Sequence, residues 1–145
     1  MTIFIGADHR GFELKNKLVE YLQEQNIRVE DLGNFSFEPL DDAVDFTQKV
    51  TQAVLQNPGD FRGIIVCGSG IAATIAANRH KGIYCALGFD RHQIEHGRQN
   101  DHINVLALPS EYLNFEQAQL LVDVFLQTKT KSDEKYIRRI KKLDI

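Results

Sequence analysis

The sequence predicts an α/β protein: a three-layer αβα sandwich around a five-stranded parallel sheet of order 2-1-3-4-5, closed by a C-terminal helix. Three observations predict it. Short apolar runs alternate with segments of helical apolar spacing along the chain. Glycine-containing turns follow the first three of those runs, at Gly6, Gly33 and Gly68. The middle run, Gly63 to Cys67, is apolar throughout, as a strand covered on both faces must be. With 145 residues, a single domain over 1–145 is expected.

Thr2 to Gly6 reads as the first strand and ends in Gly6-Ala7-Asp8-His9. Gly11 to Gln25 follows as a helix, with Phe12, Leu14, Leu18, Val19 and Leu22 at helical spacing. Arg28 to Leu32 is a second strand, stopped by Gly33. A loop of Phe, Pro and Asp leads to a helix from Asp42 to Gln56, closed by Pro58 and Gly59. After the third strand, Gly68-Ser69-Gly70 turns into a helix running through Asn78. Ile83 to Leu87 is a fourth strand, Asp90 to Arg98 a helix, and Asn104 to Leu108 a fifth strand. Ala118, Leu121, Val122 and Phe125 mark one face of the next helix. Ser132 and Asp133 are caps for a last one carrying Tyr136 to Lys142.

The net charge of −3, with 17 basic and 20 acidic residues interspersed, argues against a nucleic-acid stripe or a polybasic membrane patch. The N-terminus lacks the basic and apolar regions of a signal peptide, and no apolar run reaches the length of a membrane span. Two cysteines are too few for a disulfide scaffold, so a cytoplasmic protein is expected.

Right-handed crossovers place ligands beyond the carboxyl ends of the strands, where the strand order reverses. Asp8 and His9 end strand one and Cys67 ends strand three, neighbours at that point. A cysteine followed by a glycine turn and a helix N-terminus faces free backbone amides, which favour its thiolate and can hold an anion forming on a substrate. Cys85, mid-strand with no such turn, reads as core.

Gly68 to Ala73 also fits a dinucleotide fingerprint, with Asp90 near the ribose position. That motif follows the third strand, however, and no second domain would carry a hydride acceptor. No nicotinamide or other cofactor is expected. A Walker loop needs Gly-Lys-Ser/Thr, and a cysteine phosphatase an arginine at Ala73; both are absent. His92-Gln93-Ile94-Glu95-His96 matches an inverted zinc-protease pattern, but its helix reads as an amphipathic cover, and no metal is expected.

Together these residues resemble the ribose-5-phosphate isomerase B and galactose-6-phosphate isomerase family. The matching stretches are Gly6 to Lys15, Cys67 to Gly70 with Ile75 to Arg79, Asn104 to Ala107, and Arg138-Arg139-Ile140. The resemblance implies a Rossmann-like sandwich, a homodimer with shared sites, and metal-free aldose–ketose interconversion of a small sugar phosphate. By it, Cys67 is the base that moves a proton between C1 and C2. Amides of Gly68, Ser69, Gly70, Ile71 and Ala72, with the Ser69 hydroxyl, hold the enediolate. Asp8 and His9 contact the sugar and its phosphate, and Arg139 matches a phosphate arginine.

The departures are specific. The family's Tyr-Pro is Ala43-Val44, its ring-opening histidine is Asn100, and the substrate-binding asparagine after it is Asp101. A phosphate arginine after strand five is Glu111, the first arginine of the C-terminal pair is Lys135, and the following histidine is Tyr136. Ala72 stands where glycine is common. His102, two residues beyond Asn100, is the candidate substitute for ring opening. The alternative is a non-catalytic binding module of the same fold, for a sugar phosphate or nucleotide.

Overall fold

A computed structural model describes residues 1–145. The strands are β1 (Thr2–Ala7), β2 (Val29–Asp31), β3 (Phe61–Cys67), β4 (Cys85–Leu87) and β5 (Val105–Pro109). The helices are α1 (Phe12–Glu24), α2 (Ala43–Leu55), α3 (Ile71–Ala77), α4 (Arg91–His96), α5 (Phe115–Gln127) and α6 (Glu134–Ile140). All four strand pairings are parallel. No helix is long and apolar enough to cross a membrane.

The fold class is the expected one, but the last two strands are exchanged. The order is β2-β1-β3-β5-β4, in place of 2-1-3-4-5. Burial explains the exchange. β5 is buried at all five positions, which demands a neighbour on each side, whereas the three residues of β4 are only partly buried and suit an edge. The step from β4 back to β5 reverses direction, so a right-handed crossover returns α4 to the face of α1. One face thus packs Leu14, Leu18 and Leu22 of α1, Ile94 of α4, and Leu121, Val122 and Phe125 of α5 into one core. The other carries only α2 and α3, through Val50, Val54, Ala73 and Ala77.

The boundaries differ modestly. α4 stops at His96 and passes into a single π turn, Gly97–Asp101. α6 ends at Ile140, short of Lys142, and Asp133 at its N-cap makes no side-chain cap bond. α5 carries a full capping box, with Asn114 and Gln117 exchanging side-chain and backbone bonds.

One buried charge ties the fold to the site. The Lys15 side chain is fully buried, its Nζ 2.9 and 2.7 Å from the two Asp31 oxygens and 2.7 Å from the Asn34 carbonyl. An ammonium removed from water persists only with such partners. Asn34 in turn donates from Nδ2 to Asp41 Oδ2 at 3.2 Å, so the buried pair anchors the loop that carries Asp41. Gly11 is fixed by close approach, since a Cβ there would lie 2.1 Å from the Val66 carbonyl oxygen. The start of α1 is thereby pressed against β3 beside Cys67.

Candidate active site

The β1–β3 ladder runs to Ala7 opposite Val66, which sets Asp8 level with Cys67, and Cys67 pairs across with Pro109 of β5. The ends of three adjacent strands therefore deliver Asp8, Cys67 and the loop at Ser110 to one place. This is the switch point, because β1 leads outward to β2 and β3 leads the other way.

The loop after Cys67 is shaped by Gly70, whose φ of +74° favours glycine. No backbone carbonyl accepts from the N–H groups of Gly68, Ser69, Gly70, Ala72 or Ala73. The Ser69 hydroxyl oxygen accepts from the Ile71 N–H at 3.2 Å, leaving its own proton to donate outward. The N–H groups of Ala73, Gly70 and Ser69 face the Cys67 sulfur.

Those amides favour the Cys67 thiolate, as the turn suggested, but burial outweighs them. Burial pushes its thiol upward, the Ala73 and Gly70 amides pull it back, and the nearby Asp8 charge pushes it up again. Burial wins because Cys67 is only 3% exposed. Cys85, at the start of edge strand β4, is pushed up to about 12, chiefly by burial. Of the two thiols, only Cys67 is ringed by a turn of unpaired amides.

Asp8 serves two purposes. Its Oδ1 accepts from the Arg10 and Gly11 N–H groups, both at 3.0 Å, which closes the turn into α1. Burial raises its carboxyl pKa, against those two amides. His9 is held by a residue sequence reasoning did not single out. Asp41 Oδ1 lies 2.8 Å from both the His9 N–H and its Nδ1. A carboxylate there makes Nδ1 the protonated nitrogen and leaves Nε2, which has no partner in the chain, for a ligand. Burial pushes the Asp41 carboxyl up, but the bonds from His9 and Asn34 hold it below the ordinary range. No local signal marks Asp41, because 32 residues separate it from His9.

Asp8, His9 and Asp41 are the only three metal-type ligands brought within 4.8 Å of one another. Their atoms are already engaged in the bonds just described, which describes a hydrogen-bonded dyad beside a turn. The His92/His96 pair on α4 joins no such group; His92 Nδ1 lies 3.9 Å from Glu95 on an exposed face.

The remaining candidates are elsewhere. Asn100, Asp101 and His102 precede β5, at the opposite end of the sheet from Cys67. Five strand residues alone separate the two ends by about 15 Å. His102, with φ +54°, places Nε2 2.8 Å from the Lys131 carbonyl. The Lys131 N–H reaches the Gln99 carbonyl at 2.9 Å, so α6 is fastened to the π turn. There Lys131, Lys135 and Arg139 all lie within 6 Å of the Tyr136 ring. The residues that the resemblance implies thus fall into two half-sites of the expected site: Asp8, His9 and Cys67–Ala72 at one end, Asn100, Asp101, His102, Lys135 and Arg139 at the other.

A thiol and unpaired amides at the switch point of a parallel αβα sandwich define a class of small α/β proteins that take a ligand beyond the carboxyl ends of their strands. The chain matches the model of the Ribose/Galactose Isomerase family over residues 3–143 and belongs to that family. Among solved structures, a ribose 5-phosphate isomerase from Thermotoga maritima superposes with a TM-score of 0.92 at 40% identity, covering 99% of this chain and 97% of that one. Ribose-5-phosphate isomerase B from Mycoplasma genitalium, solved with ribulose 5-phosphate bound, gives 0.93 at 35% identity over 98% and 93%. A probable ribose-5-phosphate isomerase B of Mycoplasma pneumoniae is 40% identical over 86% of this chain and 82% of its own length. Family membership makes the chain an aldose–ketose isomerase.

Proposed function

We propose that the chain interconverts ribose 5-phosphate and ribulose 5-phosphate without a metal, through an enediolate, with Cys67 as base. The observation that carries this reading is the Cys67 sulfur at the switch point, ringed by N–H groups that no carbonyl occupies. Removing a proton beside a carbonyl needs a base and a preorganised site for the oxygen that gains charge. One turn of chain supplies both.

In this reading Cys67 takes the proton from C2 of the aldose and returns it to C1, and the reverse for the ketose. The amides from Gly68 to Ala72 and the Ser69 hydroxyl hold the enediolate oxygen. Asp8 and His9 bind the sugar and its phosphate. Lys135 and Arg139 add positive charge, with Asn100 and Asp101 as polar contacts. Ring opening falls to His102, because the Asn100 amide neither gains nor loses a proton near neutral pH. Its Nε2 donates to the Lys131 carbonyl, which leaves Nδ1 free to accept a proton.

The two half-sites meet only if a second copy supplies one of them, so the working unit is a homodimer with shared sites. The α2–α3 face supports this. It is covered by two helices only, and Ile71 and Ile75 of α3 are 50% and 60% exposed, with Val44 of α2 also bare. In this reading a two-fold pair sets each α6 cluster against its partner's Cys67 loop, and the same two surfaces meet twice.

The test is conversion of ribulose 5-phosphate to the aldose in the presence of a chelator, alongside calorimetric binding of the same compound. Net conversion is expected. Tight binding without conversion would favour the non-catalytic module, and absence of both would refute the substrate.

A further inference from the structure

Arg10 and Glu111 come from opposite ends of the sequence and meet directly over the Cys67 loop. Arg10 lies in the turn after β1 and Glu111 in the turn after β5, yet Arg10 Nη1 donates to Glu111 Oε1 at 2.9 Å. Their backbones are fastened to the same loop. The Ser110 N–H reaches the Cys67 carbonyl at 2.8 Å, the Ser110 hydroxyl reaches the Arg10 carbonyl at 2.8 Å, and the Glu111 N–H reaches the Gly68 carbonyl at 3.1 Å. Gly68 makes room for the pair. A Cβ there would lie 2.7 Å from Arg10 Cδ, 3.3 Å from Arg10 Nη1 and 3.2 Å from Glu111 Oε1.

The guanidinium is not consumed by this contact. Glu111 takes one donor, and no other acceptor engages the group. The side chain is 58% exposed, so the unused N–H groups face solvent on the turn that also presents the unpartnered His9 Nε2. A planar guanidinium with a free edge, an imidazole nitrogen and loop amides together suit a tetrahedral oxyanion of high charge. The Glu111 carboxylate stands over the same loop, and its charge is offset there by the guanidinium it accepts from at 2.9 Å.

We propose that Arg10 is a specificity-determining residue that grips the phosphate group of the substrate, and that Glu111 is the positioning residue that holds its guanidinium over Gly68. The proposal rests on the sugar-phosphate reading above and adds which cation of the Cys67 half-site binds the phosphate. Held in place before the ligand arrives, Arg10 has less freedom to lose on binding.

The test uses the full chain in four forms: wild type, Arg10→Gln, Glu111→Gln, and Arg10→Gln with Glu111→Arg. Two quantities are read, KM for ribulose 5-phosphate and the calorimetric dissociation constant of inorganic phosphate. Arg10→Gln should weaken both by about tenfold to a hundredfold, the worth of one or more hydrogen bonds to a charged group. The loss should fall on KM rather than kcat. Glu111→Gln should weaken both by a smaller factor. The double variant should regain phosphate affinity, since a side chain from position 111 reaches the same spot above Gly68. Phosphate binding within twofold of wild type in Arg10→Gln overturns the proposal. Tighter phosphate binding in Glu111→Gln overturns the positioning role, since the carboxylate would then merely repel the ligand. Because phosphate binding is read without turnover, a wild type that binds phosphate through Arg10 but converts no sugar would fail the isomerase reading and leave this one standing.

Discussion

Cys67→Ala should abolish isomerisation while leaving the fold intact. A positioned base contributes about 10²–10⁴-fold to a proton transfer, and no other group of the Cys67 loop can replace the sulfur. Ser69 carries a hydroxyl too weakly acidic for the task, and Asp8 has its Oδ1 fixed by the Arg10 and Gly11 amides in the turn into α1. The alanine side chain fits the same buried corner, so circular dichroism and melting should change little. Cys85→Ser should keep its activity, since Cys85 lies on edge strand β4 with its thiol pushed up to about 12. The pH dependence has a definite sign. A base must be deprotonated to act, and burial holds the Cys67 thiol above its ordinary value of 9.0. The free enzyme is therefore mostly thiol at neutral pH, and kcat/KM should rise with pH from neutrality through about 9. Cys67→Ala retaining full turnover, or a wild-type kcat/KM flat across that range, would show that another base carries the proton.

The second large effect is complementation between two dead variants. Cys67→Ala destroys one half-site, and Lys135→Glu with Arg139→Glu reverses the charge of the other. Each variant alone should be nearly inactive at low substrate. If a second copy completes the site, a reassociated one-to-one mixture contains dimers with one intact site. Random pairing makes half of the dimers mixed, so about a quarter of wild-type activity should return. Activity that stays at the level of the parents would mean each chain builds its site alone. The structure makes that difficult, because the length of β5 stands between Asn100–His102 and the Cys67 loop.

Periodicity and turn chemistry made most of this molecule legible. Strands, helices and the Cys67 turn lie where apolar spacing and glycine placed them, and Asp8 meets Cys67 because parallel pairing requires it. What local pattern could not carry was longer in range. The exchange of β4 and β5 depends on which strand can be buried on both sides, a comparison between whole strands. Asp41 reaches His9, and Arg10 reaches Glu111, across 32 and 101 residues. The balance of effects on the Cys67 thiol lay out of reach for a related reason. The turn announces amides, but only the folded chain shows how little water reaches the sulfur.

The most direct test of the account is incubation of wild-type protein with ribulose 5-phosphate in deuterated water containing a chelator, followed by NMR of the C1 and C2 positions. Proton transfer through an enediolate predicts ribose 5-phosphate carrying deuterium at C2, deuterium at C1 of the recovered ketose, and loss of both signals in Cys67→Ala. Exchange or conversion that survives in Cys67→Ala, or dependence on added metal, would contradict it.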